Sequence, residues 1–228
     1  MVRWPVWMAA GLLAVSCGSP EPVAREGSPQ PAPAATARAP DSSRPRIVIL
    51  GDSLTAGLGL ETGQAYPALL QAKIDAAGLP YDVVNAGISG DTSAGGVRRI
   101  GWALEGDVRI LVLAIGANDG LRGVPIEELR GNLSEMIEAA QARGVRVVLA
   151  GMEAPPNYGI DFTTAFHRVY PELAEAFDVP LVPFLLAGVA GDAALNQADG
   201  IHPTAEGAAI VADNVWAVLA PIAAEERN

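Results

Sequence analysis

The chain has 228 residues, half of them hydrophobic, and a formal net charge of -11 at pH 7. From residue 46 onward its basic residues are scattered, with Arg98-Arg99 the one adjacent pair, so it lacks the basic footprint on which nucleic-acid binding relies. Two His and one Cys leave no cluster with metal-ligand spacing, and the negative charge disfavours polyanionic partners at long range.

Residues 1–16 carry Arg3 and then an apolar run through Trp7, Leu12, Leu13 and Val15. The run falls short of the about 20 apolar residues a bilayer span requires and reads as a secretory signal. Residues 17–45 are rich in Pro, Ala, Ser, Gly and Arg with no apolar period. Such a stretch buries too little surface to offset its ordering entropy, and it is expected to be a disordered tether. Cys17, the lone cysteine, stands at the junction in Ala14-Val15-Ser16-Cys17-Gly18. The junction resembles a bacterial lipoprotein cleavage site, with Ala14 where that motif usually has Leu. Lipidation at Cys17 would attach the protein to a membrane; ordinary signal cleavage would release it. The expected location is outside the cytoplasm, periplasmic or membrane-anchored, or else secreted.

Residues 46–222 have the size of one domain, with a short tail at 223–228. Apolar runs at 47–50, 81–84, 110–115, 145–150 and 181–184 are rich in Val, Ile and Leu. Runs of this length fit strands buried on both faces of a parallel sheet. Helical patterns lie between them. Tyr66, Leu69, Leu70, Ile74 and Ala77 share a face, with Pro67 suited to the first turn and Gly78 to the cap. Ile126, Leu129, Leu133, Met136, Ile137 and Ala140 form a second face. Residues 163–177 form a less regular one, interrupted by Pro171. Ala205, Ala208, Ala212, Val215, Trp216 and Leu219 form the last. Residues 92–104 are weakly helical, with Gly95 and Gly96 against the helix. Strands alternating with such helices predict a three-layer α/β/α domain of flavodoxin-like type, with five parallel strands in the order 2-1-3-4-5.

Polar and glycine-rich clusters follow the strands on their carboxyl side: Gly51-Asp52-Ser53, then Asn85 to Asp91, then Gly116-Ala117-Asn118-Asp119. Ligands of open α/β sheets bind at the carboxyl ends of the strands, near the point where the order reverses. Ser53, Gly90 and Asn118 should therefore converge. Ser53 as a nucleophile needs a base. His167 sits in a helical pattern and reads as a surface or packing residue. His202, in Asp199-Gly200-Ile201-His202-Pro203, lies in a turn before the last helix. Asp199 could fold back onto one ring nitrogen and leave the other for Ser53, which is the logic of a catalytic triad; alone, the pair also reads as an Asx turn. Acyl transfer further needs oxyanion donors, for which the N–H groups of Ser53 and Gly90 and the Asn118 amide are suited. Gly90 singly reads as a turn glycine, and Asn118 as a turn or cap residue. Asp52 and Asp91 read as structural, bonding to loop backbone.

Gly51-Asp52-Ser53-Leu54, Gly90, Gly116-Ala117-Asn118-Asp119 and Asp199-Gly200-Ile201-His202-Pro203 together resemble the four blocks of the GDSL/SGNH hydrolases. The likeness extends through Tyr66-Pro67-Ala68-Leu69-Leu70 and Pro156-Asn157-Tyr158-Gly159, toward the group of secreted arylesterases, acyl-CoA thioesterases I and lysophospholipases L. It implies Ser53 as nucleophile, His202 as base, Asp199 as the triad carboxylate, and Gly90 and Asn118 as oxyanion donors beside the Ser53 amide. Thr55 stands where the lipase-type Gly-x-Ser-x-Gly elbow has its second glycine, which favours the flavodoxin-like scaffold.

The expected activity is a serine esterase acting on short- to medium-chain acyl or aryl esters as a monomer, with no metal or organic cofactor. Tyr158, Gly159 and Phe162, after the fourth strand, are expected to flank the acyl chain. Two alternatives stay open: O-deacetylation of an envelope or extracellular polysaccharide, and a tethered binding protein without catalysis.

Overall fold

The computed structural model describes residues 44–225. The expected signal, Cys17, nearly all of the tether and residues 226–228 lie outside the described residues.

Buried aliphatic runs decide the architecture. Strands β1 (Arg46–Gly51), β2 (Asp82–Gly87), β3 (Val108–Ala114), β4 (Arg146–Ala150) and β5 (Leu181–Val182) form one sheet. All pairings are parallel and the order is 2-1-3-4-5, as expected. Ile47, Ile49, Leu50, Ile110, Leu111, Val112 and Leu113 are completely buried, because helices cover both faces of the central strands. The helices are α1 (Ser53–Ala56), α2 (Tyr66–Ala76), α3 (Ser93–Ala103), α4 (Ala117–Arg122), α5 (Ile126–Gln141), α6 (Ile160–Ala176) and α7 (Ala205–Glu225). α2 packs on α7, while α5 packs on both α3 and α6. Right-handed crossovers put the first pair on one face of the sheet and the other three on the opposite face.

The structure corrects the sequence reading at several boundaries. β2 continues through Asn85 to Gly87, past the apolar run that ends at Val84. It is an edge strand, so a polar side chain is tolerated there, and Asn85 Nδ2 donates to the Thr55 carbonyl at 2.9 Å. β5 stops at Val182, because Pro183 has no N–H to continue the ladder. α6 is unbroken across Pro171. Phe166, Val169, Tyr170, Leu173 and Ala174 are buried on either side of the proline, and this burial outweighs the about 3 kcal/mol that a helix-interior proline costs.

α3 is a regular helix despite Gly95 and Gly96. A Cβ at Gly95 would lie 1.5 Å from Asp91 Oδ1, and one at Gly96 2.7 Å from Met136 Sδ. The glycines weaken the helix locally but allow close approach. At the ends, Arg44 pairs with Asp82 at 3.0 Å, and α7 runs on to Glu225 with Ala223 fully buried. The packed domain thus extends beyond the 46–222 read from the sequence and takes in the start of the expected tail.

Candidate active site

The site is assembled where β1 ends. Asp52 is fully buried, and its Oδ1 accepts the Leu54 N–H at 3.0 Å, capping α1. The cap takes up the Leu54 donor and leaves Ser53 as the first helical residue, at the carboxyl end of the sheet. Thr55 is buried as well: its hydroxyl meets the Tyr66 hydroxyl at 2.7 Å and its carbonyl takes the Asn85 amide. A Cβ at Gly51 would sit 2.0 Å from Thr55 Oγ1. Thr55 therefore occupies its place because it packs on Gly51 and ties α1 to α2 and β2.

The loop after β5 carries His202, the expected base. Asp199 Oδ1 accepts the N–H groups of Ile201 at 3.0 Å and His202 at 3.1 Å, and Oδ2 lies 2.7 Å from His202 Nδ1. The Asx turn and the triad-like contact, alternatives in the sequence, are two oxygens of one carboxylate. The Ile201 N–H, followed by the His202 side chain and N–H, holds the Asp199 carboxyl down at about 2. An ionised carboxylate only accepts, so Nδ1 carries the ring proton. Nε2 is left to accept from Ser53 Oγ, 2.8 Å away across 149 positions of sequence.

Gln197, which sequence reading passed over, locks this loop in place. Its N–H donates to the His202 carbonyl at 2.7 Å, and its side-chain amide donates to Leu58 O at 2.7 Å and Pro203 O at 2.9 Å. His167 stays apart from the site. Its Nδ1 lies 2.5 Å from Glu153 Oε1 on the surface.

The loops after β2 and β3 supply donors. Gly90 has φ +81° in a turn closed by the Asp91 N–H on Ile88 O at 3.1 Å, a conformation that favours glycine. That hydrogen bond leaves the Gly90 N–H outside the turn. Asn118 Nδ2 donates to the Asp91 carbonyl at 2.9 Å, and its second N–H remains for a ligand. Ser53, Gly90, Asn118 and His202 line one cleft of about 670 Å³. Asp91 departs from expectation in one respect: its carboxylate bonds Arg99 rather than loop backbone, at 2.7 Å.

Tyr158, Gly159 and Phe162 do not line this cleft. The segment after β4 contributes Met152 to Pro156 instead. The 3-10 turn Pro156–Tyr158 carries the following chain away. Tyr158 lies against Gly123 and donates to Leu121 O at 3.1 Å, bracing α4, and Phe162 packs on it in a tilted arrangement with ring centroids 5.2 Å apart. The facing wall comes from Phe184, at the end of the fifth apolar run, and from Leu186, Ala190 and Gly191, which lie in an aperiodic stretch with no readable sequence signal.

Burial pushes the Asp52 carboxyl up to about 6, against the opposing pull of the Leu54 N–H. Asp119 is also raised by burial, although the Ser93 hydroxyl and N–H bond its carboxylate. A folded-state value above the unfolded one means that the native state holds the proton more tightly. The Asp52 contribution to stability is complete below the unfolded value of 3.8 and is lost as pH rises through about 6. We expect Asp52→Asn to flatten that part of the urea-unfolding stability curve between pH 4 and 6. A slope identical to wild type would contradict this assignment.

The profile of the GDSL-like lipase/acylhydrolase family matches residues 49–210. Esterase TesA of Pseudomonas aeruginosa is 45% identical over 177 residues, covering 77% of this chain and 88% of that protein. Thioesterase 1/protease 1/lysophospholipase L1 of Escherichia coli K12 is 37% identical over 177 residues, covering 77% and 84%. The crystal structure of psychrotrophic esterase EstA from a Pseudoalteromonas species, inhibited by monoethylphosphonate, superposes with a TM-score of 0.74 at 33% identity, covering 77% of this chain and 97% of that one. Fold, cleft and sequence agree: the chain belongs to the GDSL-like lipase/acylhydrolase family.

Proposed function

We propose that the protein is a serine esterase that hydrolyses short- to medium-chain acyl or aryl esters through an acyl-enzyme on Ser53. The carrying observation is the hydrogen-bonded series Ser53 Oγ, His202 Nε2, His202 Nδ1 and Asp199 Oδ2 at the mouth of the cleft. In the first half-reaction Ser53 Oγ attacks the ester carbonyl carbon and its proton passes to His202 Nε2. Asp199 stabilises the imidazolium. The carbonyl oxygen gains charge and rests on the N–H groups of Ser53 and Gly90 and on Asn118 Nδ2. Collapse expels the alcohol, which takes the proton from His202. In the second half-reaction water attacks the acyl-enzyme and gives a proton to His202; the acyl–Oγ bond then breaks, Ser53 Oγ takes that proton back, and the acid leaves.

Leu54, Leu58, Leu121, Met152, Ala154 and Leu186 give the cleft an apolar wall suited to an acyl chain. The acidic domain favours esters over thioesters of polyanionic CoA. A p-nitrophenyl ester series of increasing chain length should peak at short to medium chains, with a higher kcat/KM than acyl-CoA. A much higher kcat/KM for long-chain acyl-CoA would overturn the substrate assignment. Activity confined to acetylated glycans would move it to polysaccharide O-deacetylation.

The basic, apolar start of the chain and the lone Cys17 support export with attachment of a monomer to a membrane through a lipidated Cys17. Cells expressing the full chain should incorporate labelled palmitate into it, and Cys17→Ala should abolish the label. Equal labelling of both proteins would contradict lipidation at that residue.

A further inference from the structure

The geometry points to Arg99 as the positioning residue that fixes the spacing of all three oxyanion donors, an inference that rests on the esterase reading above. Arg99 sits on α3 with a side chain only 12% exposed, and it is not part of the cleft wall. Its guanidinium reaches three separate segments. Nε donates to Asp91 Oδ2 at 2.7 Å, Nη1 to the Ala86 carbonyl at 2.6 Å, and Nη2 to the Gly51 carbonyl at 2.8 Å.

Each segment bears on one donor. Gly51 ends β1, two residues before Ser53, and its carbonyl also takes the Ile88 N–H at 3.0 Å. Ala86 lies in β2, which leads directly into the turn that holds Gly90. Asp91 controls two donors at once. Its N–H closes the Gly90 turn on Ile88, and its carbonyl holds the Asn118 amide at 2.9 Å. One planar cation thus ties the Ser53, Gly90 and Asn118 carriers to a common point.

The chemistry needs arginine there. A guanidinium presents several donors in a fixed fork, whereas a lysine ammonium is a compact charge on a flexible stem and cannot hold three acceptors in one plane. The Asp91 carboxylate balances the charge, so Arg99 sets distances without adding a net positive charge behind the oxyanion. Gly95 fits the same design: a Cβ at that position would lie 1.5 Å from Asp91 Oδ1, so the carboxylate reaches Arg99 only across a bare helix turn. The sequence offers Arg99 merely as half of the Arg98-Arg99 pair.

The test compares wild type with Arg99→Met, Arg99→Lys and Asp91→Asn. The readouts are KM and kcat for a short-chain p-nitrophenyl ester and Ki for a trifluoromethyl ketone, whose hemiketal with Ser53 places an oxyanion among the three donors. We expect kcat/KM to fall and Ki to rise together by about 100-fold, as for loss of an oxyanion donor, with KM within about threefold of wild type. Arg99→Lys should not rescue, while added guanidinium ions should restore part of the Arg99→Met activity. Neither KM nor Ki depends on how much of a preparation is active. A purely structural role would therefore lower the yield of active enzyme and leave both unchanged, and an unchanged Ki overturns the inference. If Arg99→Met does not fold, Arg99→Lys and Asp91→Asn decide by the same readouts. A wild type that hydrolyses no ester would overturn the esterase reading and this inference with it. A wild type that hydrolyses, a Ser53→Ala variant that does not, and an unchanged Ki in the Arg99 variants would overturn this inference alone.

Discussion

Ser53→Ala should lower kcat on a short-chain p-nitrophenyl ester by at least about 10⁴-fold, with KM little changed. The hydroxyl is the atom that His202 Nε2 faces at 2.8 Å, and acylation has no route without it. What remains is water activated by His202 and an intact set of oxyanion donors. Ser53 is half-buried at the cleft and outside the hydrophobic core, so the melting temperature should stay within a few degrees of wild type. His202→Ala should cost a similar factor, and the double variant should be little worse than either single one, because nucleophile and base act as one unit. A Ser53→Ala enzyme retaining more than about 1% of wild-type kcat would contradict the mechanism.

Asp199→Asn should lower kcat/KM by about 10³- to 10⁴-fold, and the loop geometry says why. Two backbone donors, Ile201 N–H and His202 N–H, converge on Oδ1. An asparagine must put its single oxygen there and turn its NH₂ toward His202 Nδ1. Nδ1 then has to accept, the ring proton moves to Nε2, and the nitrogen facing Ser53 can no longer take a proton. In wild type the Asp199 carboxyl is held at about 2, so its protonation contributes no fall in activity above about pH 3. Kinetics across pH on wild type and on folded Asp199→Asn would check both statements. Activity within tenfold of wild type would mean that Asp199 does not set the tautomer.

The sheet was legible because burial on both faces writes unbroken apolar runs, as at Ile47–Leu50 and Ile110–Ala114. Handedness then left few orders to consider. Ser53, Gly90 and Asn118 were legible because they follow the carboxyl ends of β1, β2 and β3 in short polar, glycine-bearing segments, and Asp199 and His202 because Gly200 and Pro203 mark a turn just before α7. The residues that hold them were not. Arg99 lies on a helix face and Gln197 in an aperiodic loop, and apart from the Asp91 carboxylate their side-chain partners are backbone carbonyls, which leave no mark in the sequence. Tyr158 and Phe162 misled for a related reason. An aromatic pair near a site reads as a substrate wall, but these rings brace α4 from behind. Glycines 95 and 96 lowered the helix expectation although they mark contacts with Asp91 and Met136. Local propensity reported the cost at those positions and was silent on the packing that required it.

The most direct measurement is reaction of the protein with a fluorophosphonate, followed by peptide mass mapping and parallel assay of ester hydrolysis. The account predicts one phosphonyl adduct, on Ser53, whose appearance tracks the loss of activity and which is absent from Ser53→Ala. Inhibition with the adduct on another residue, or ester hydrolysis that persists after Ser53 is fully modified, would contradict it.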